Sequence, residues 1–326
     1  MSAPVPAFNR AFRKVFTPGC LTLGVMFPIE AYAGAVPRMH GQVRLAQRAE
    51  ALGFAALWVR DVPLLDPLFG DVGQIYDPWV YLGFIAAHTR RIALATGSIV
   101  LPLRHPLHTA KAAASVNELT GGRLLLGVAS GDRPVEYPAF GVDFATRGAR
   151  FRDALDYLQR SLEGDFPEID SPLGRLSGAD LVPKPSTGRV PVLVTGSSQQ
   201  APEWIARHAD GWLYYPRDPA HQEARVRDWR ALSAMQSPGV FKPFAQSLYL
   251  DLLADADAPV ESIHLGYRLG RNALLRHLCE LEALGVNHVA LNLKYGRRPA
   301  GDVLEEIGAE VLPRLAGREA IPSLPA

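Results

Sequence analysis

Eight times between Leu21 and Leu315 a short apolar run gives way to a polar or glycine-bearing link and then to an amphipathic stretch. Runs that are apolar throughout, rather than at alternate positions, call for strands buried on both faces, and the amphipathic stretches call for helices that cover them. Strands are predicted at Leu21–Phe27, Phe54–Val59, Ile92–Leu101, Leu124–Ala129, Val192–Thr195, Trp212–Tyr215, Ala245–Leu253 and His288–Leu293. Helices are predicted at Val36–Leu52, Pro78–Thr89, Pro106–Leu119, Arg147–Leu162, Gln199–His208, Glu223–Met235, Arg268–Leu284 and Val303–Leu315. Glu50-Ala-Leu-Gly53 and Glu282-Ala-Leu-Gly285 repeat one junction, a helix closed by glycine ahead of a strand.

Eight such units in 326 residues imply an α/β fold of the (β/α)8 TIM-barrel kind. The competing architecture is an open doubly wound sheet, but no Gly-x-Gly-x-x-Gly follows the first strand and no Gly-Lys-Ser/Thr loop occurs. Residues 166–191, rich in Pro, Gly and Ser, read as an insertion before strand five with room for a short hairpin. The division expected is an N-terminal arm (1–20), one barrel domain (21–316) and a C-terminal tail (317–326).

Charge narrows the partners. With 34 Lys and Arg against 33 Asp and Glu, no overall field draws the protein to nucleic acid or to an anionic membrane, and a small molecule is the expected ligand. No apolar stretch reaches the roughly 18 residues of a membrane span. Two cysteines, Cys20 and Cys279, make neither a disulfide scaffold nor an all-cysteine metal site, and suit a reducing cytoplasm.

In such a barrel the segments after the strands form the working face. After strand two comes Arg60-Asp61-Val62-Pro63, where Asp61 is either a catalytic carboxylate or a structural partner of Arg60. After strand three, His105 and His108 flank Pro106, a spacing that serves helix capping and packing better than metal binding, and no metal site is expected. After strand four, Ser130-Gly131-Asp132 reads as a turn or as a loop offering amides to a phosphate, with Arg147 or Arg150 adding charge. After strand five, Thr195-Gly196-Ser197-Ser198 either caps the next helix or cradles a phosphate at its N-terminus. Phe27, Trp58, Tyr137 and Tyr215 supply aromatic walls. Without a Gly-x-Ser-x-Gly elbow or a clear nucleophile–base pair, the pattern suits an enzyme whose cofactor carries the reaction.

Several of these segments, in order, resemble the flavin-dependent luciferase-like monooxygenase family. They are Leu45–Gly53 with Trp58, Thr96-Gly-Ser-Ile-Val-Leu-Pro102 with His105-Pro106, Glu118–Gly127, Phe140-Gly141, Pro191–Ser198, Ala209–Trp212 and Gly285-Val286. The resemblance implies a luciferase-like barrel that binds FMN, in reduced form supplied by a flavin reductase, or in some relatives the deazaflavin F420, commonly as a homodimer. It also implies that Gly97–Ser98 is a non-proline cis peptide beneath the flavin ring, that Ala129 and Ser130 lie near the flavin, and that Ser197 and Ser198 form the phosphate-binding turn. Arg147 and Arg150 both fall near a phosphate-binding arginine of the family. Luciferases themselves carry Glu-His-His where this chain has Asp61-Val62-Pro63, and a reactive Cys where it has Ala129. A long-chain aldehyde substrate is therefore not inherited. The expectation is a monooxygenase acting on a small organic substrate, with Asp61, His105 and Asp132 as the polarising groups. The alternatives are an F420-dependent hydride-transfer dehydrogenase and a flavin-binding barrel with little catalysis.

Overall fold

The computed structural model describes residues 7–69 and 75–316. Asp71, Gln74, the first six residues of the arm and the 317–326 tail lie outside the described residues. Eight parallel strands close on themselves: β1 (Thr22–Met26), β2 (Ala56–Val59), β3 (Ala93–Thr96), β4 (Leu124–Ala129), β5 (Val192–Thr195), β6 (Gly211–Tyr214), β7 (Phe244–Leu252) and β8 (His288–Asn292). Each pairs with the next in chain order, and β8 returns to β1 with Thr22 opposite His288. The chain therefore folds as a (β/α)8 barrel.

Alternation along each strand sorts the core. Residues turned outward, such as Leu57, Leu94, Leu126 and Val194, pack under the helices. Those turned inward are mostly small, with Ala56, Ala93, Ala95, Ala245 and Ala290 around Trp58, Leu125, Leu193 and Leu213. Small side chains in this inner layer leave room for the Trp58 indole, whose Nε1 donates to His288 Nε2 at 3.0 Å. A helix at Arg10–Val15 closes the bottom by placing Phe12, Val15 and Phe16 in the same inner cluster.

The repeated Glu-Ala-Leu-Gly junctions share one geometry. Gly53 and Gly285 both end their helices in the left-handed region, with φ 96° and 97°. Glu50 accepts from the amides of Arg90, Arg91 and Ile92 ahead of β3, and Glu282 accepts from Leu21 ahead of β1. Each glutamate thus ties its helix to the foot of a neighbouring strand.

Three helices start later than the sequence reading has them, each for a local reason. The second helix runs from Gln42, not Val36, because Gly41 precedes it at φ 65°. The helix expected from Gln199 starts at Pro202, because Ser198 and Gln199 hold φ values of 46° and 60°. The helix expected from Arg268 starts at Arg271, because Gly266–Leu269 is a strand lying parallel to the second half of β7 and antiparallel to Glu261–Ile263. The last helix contains a π turn at Ile307–Val311, where Gly308 packs on Leu52. The insertion before β5 carries a hairpin, Ile169–Ser171 with Gly174–Leu176. Among the described residues no helix is long and apolar enough to cross a membrane.

Candidate active site

The carboxyl ends of the strands open on a cavity of about 990 Å³. Its floor forms where β3 breaks. The Gly97–Ser98 peptide is cis, and the strand resumes only at Ile99–Val100, beside Val128 and Ala129. At the break the Thr96 hydroxyl replaces the missing ladder: Gly127 N donates to Oγ1 at 2.9 Å, and Oγ1 donates to Gly127 O at 2.7 Å. Gly127 admits no side chain, since a Cβ would stand 1.9 Å from Thr96 O. A Cβ on Gly97 would meet the Trp58 ring at 3.1 Å. The floor is thus a bare stretch of backbone resting on an indole.

One rim belongs to β4 and β5. Ser198 Oγ accepts from Ser130 N at 3.3 Å and donates to Thr195 O at 2.8 Å, which fastens the two loops together. Ser98 and Thr195 hydrogen-bond through their hydroxyls. Tyr137, fully buried, donates its hydroxyl to Ser130 O, so it supports the loop from behind rather than forming a cavity wall. Burial pushes its phenol pKa up. Gly196, Ser198 and Gln199 all have positive φ, which makes 196–199 a tight turn and leaves Ser197 exposed along the cavity. Neither serine caps the following helix, whose N-cap is Ala201 with no side-chain hydrogen bond.

Asp61 lies on the cavity edge but is committed elsewhere. Arg104, not Arg60, grips it in a two-pronged pair, with both N–O distances 2.8 Å, and Val100 N donates to it at 3.1 Å. Arg104 also binds Asp77 at 2.8 Å. Burial lowers the affinity of this guanidinium for its proton, but Asp61 and Asp77 outweigh that, so its pKa is raised. Such a paired carboxylate is a brace for the Val100 turn.

His105 stands outside the cavity lining. Its Nδ1 accepts from Leu107 N at 3.2 Å, capping the Pro106–Leu119 helix, and its Nε2 bonds Leu173 O in the inserted hairpin at 2.9 Å. Arg147 and Arg150 also stand outside the cavity lining: Arg147 lies 3.7 Å from the Phe144 ring centre and donates to Phe144 O, and Arg150 donates to Pro102 O. Arg147 Nε is buried with no hydrogen-bond partner among the described residues, and the adjoining Gly148 packs against Gln199. Gly97, Ser98, Ala129, Ser130, Asp132, Thr195, Gly196, Ser197 and Ser198 share the one cavity.

Sequence reasoning assigns no role to several residues that line it: Arg133, Glu136, Arg217, Tyr249, His264 and Tyr295. Glu136 is 2% exposed, with Arg133 3.6 Å away. Burial raises its pKa, with Arg133 pulling the other way. Arg133 in turn lies 4.6 Å from the Phe69 ring centre. Only the position of Glu136 and Arg133 just after an apolar strand marked them in sequence, and Arg217, Tyr249, His264 and Tyr295 had no local motif at all.

A closed barrel with a large mouth cavity, floored by a cis Gly–Ser peptide and rimmed by serines on a left-handed turn, defines a ligand-binding α/β barrel of the enzyme kind. The chain belongs to the luciferase-like monooxygenase family, whose sequence profile matches residues 21–252. An uncharacterized protein of Mycobacterium tuberculosis is 29% identical over 226 residues, covering 64% of this chain and 77% of that one. An F420-dependent secondary alcohol dehydrogenase, solved with an F420–acetone adduct, superposes with a TM-score of 0.71 at 17% identity, over 94% of this chain and 100% of that one. The oxygenating constituent of 3,6-diketocamphane monooxygenase from Pseudomonas putida, solved with FMN, gives 0.71 at 14% identity, over 90% and 99%.

Proposed function

We propose that this protein is a cytoplasmic, homodimeric, FMN-dependent monooxygenase that takes reduced flavin from a separate reductase and oxidises a small organic substrate with O2. The observation that carries the reading is the floor: side-chain-free backbone at Gly97, over Trp58, offers a planar ring a flat seat that any larger residue would fill. The residues present fit FMN. Ala129 and Ser130 would flank its ring, and Ser197, with the amides of its turn, would hold its phosphate.

Bound flavin supplies the redox chemistry. The Ser98–Thr195 hydroxyl pair gives the seat a polar edge. Leu68 and Phe69, in the segment after β2, line the same cavity. Asp132, exposed in the cavity, holds or accepts a proton at the substrate oxygen, and Asp61 keeps the Val100 turn in place through Arg104.

Titration of the purified protein with FMN, anaerobically reduced FMN, riboflavin and F420 tests the cofactor. FMN should bind more tightly than riboflavin, and Ser197→Ala should weaken FMN by about tenfold while leaving riboflavin unchanged. Binding of F420 with none of FMN, or of no flavin at high micromolar concentration, sinks the reading. With a reductase and NADH, oxygen from labelled O2 should appear in an oxidised product.

A further inference from the structure

Strand order sets β7 and β8 across the barrel mouth from the β3 and β4 floor. On that side three rings close on one another. Tyr249 and Tyr295 have centroids 4.9 Å apart, Tyr249 and His264 5.8 Å, and His264 and Tyr295 6.1 Å at 84°. All three line the cavity, and His264 is exposed, so it is not a core histidine filling space.

The surrounding fold is built to put them there. His264 sits at the tip of the hairpin formed by Glu261–Ile263 and Gly266–Leu269, which runs beside β7. Tyr249 N donates to Leu265 O at 3.1 Å, and Gly266 lies so close that a Cβ would come within 1.9 Å of Tyr249 O. Arg268 clamps the hairpin from below by binding the fully buried Asp251 at 2.7 Å and Glu261 at 2.8 Å. Leu265 holds φ 48°, a conformation that leucine adopts only where its surroundings impose it. On the far ring, Lys294 Nζ lies over Tyr295, 5.7 Å from its centroid, and donates to Gly34 O at 3.0 Å.

We propose that the Tyr249–His264–Tyr295 cluster is the substrate end of the cavity and takes a neutral hydroxylated aromatic compound, a phenol in the broad sense. This rests on the flavin-monooxygenase reading, which seats the cofactor on the opposite side. The phenol rings offer faces and edges to an aromatic guest. The imidazole offers one donor and one acceptor to its hydroxyl. The three side chains of the cluster include no carboxylate, ammonium or guanidinium to select an ionic substrate. A saturated chain or ring of equal size gains only the contact area and forgoes the ring geometry.

Calorimetric titration of the full chain with 2-naphthol and with its fully saturated counterpart, in the presence and absence of FMN, tests this. The wild type should bind the aromatic alcohol about tenfold more tightly. His264→Ala and Tyr295→Leu should each remove most of that preference while FMN affinity and the thermal midpoint stay unchanged. Equal affinity for the two alcohols, or a preference that survives both substitutions, overturns the proposal, as does a loss of FMN affinity in either variant. If the protein binds no flavin but keeps the aromatic preference, the cofactor reading fails and the cluster stands. If flavin binds and the preference is absent, only the cluster assignment falls.

Discussion

His288 is wholly enclosed within the barrel, between the Thr22 hydroxyl at 2.7 Å from Nδ1 and the Trp58 indole at 3.0 Å from Nε2. Since Trp58 donates, Nε2 accepts, and Nδ1 carries the hydrogen given to Thr22. Burial drives the ring pKa down from 6.5 to about 3. The folded protein therefore binds this proton less readily than the unfolded chain does. The stability that follows is present above about pH 6.5 and lost as pH falls toward 3, at about 1.4 kcal/mol per pH unit. Urea unfolding across that window should show the slope for the wild type, and His288→Gln should flatten it; parallel profiles would refute the assignment. Little of this was legible, because a histidine in an apolar run gives no sign of the tryptophan and threonine that meet it. Asp61 shows the same limit: its true partner, Arg104, lies 43 residues on, and only the convergence of two strand ends joins them. The cis Gly97–Ser98 peptide is expected only from the family resemblance, and the structure has it.

At the scale of elements, the strand read as one run from Ile92 to Leu101 is two pieces joined by a break. Its apolar pattern is continuous, so nothing in periodicity marks the interruption; the Thr96-Gly97-Ser98 triplet does, once Thr96 is seen to replace a ladder bond. The hydroxyl makes two buried hydrogen bonds to Gly127, both of which Thr96→Val would leave unmade. We expect that variant to lose about 1–3 kcal/mol in chemical denaturation, and Thr96→Ser to lose far less. If Val and Ser behave alike, the hydroxyl is not what carries the break. Helix starts differ from the reading where a left-handed residue precedes them, as at Gly41 and Ser198, since amphipathic spacing runs on past a backbone that cannot follow it, whereas the glycine-closed ends at Leu52 and Leu284 stand as read. The helix Pro106–Leu119, with His105 as cap and proline at its first position, was placed as it stands.

At the scale of the molecule the barrel has two ends with different tasks, and the sequence read as an arm serves one of them. The mouth carries the cavity; the bottom is closed by the Arg10–Val15 helix, with Phe12 at 6%, Val15 at 0% and Phe16 at 3% exposure. Asn9 fixes this plug, accepting from Phe12 N at 3.1 Å and donating to Asn117 at 2.9 Å and to Leu124 O at 2.7 Å. The amphipathic pattern of the segment was visible, but its docking was not, because its apolar face matches an opening that exists only after all eight strands have closed. Three large apolar side chains at roughly 1.5–3 kcal/mol each make the plug worth about 6 kcal/mol, a large share of a domain's net stability. Deletion of residues 1–16 should therefore lower the urea midpoint sharply, and Phe16→Ala alone should cost about 3 kcal/mol. In whatever fraction remains folded, FMN affinity should be unaltered, because the plug meets His288, with the Phe16 ring centre 6.1 Å from it, and the feet of β3 and β4, not the rim residues. A truncated chain as stable as the full one would show that the inner alanine layer holds the barrel closed unaided.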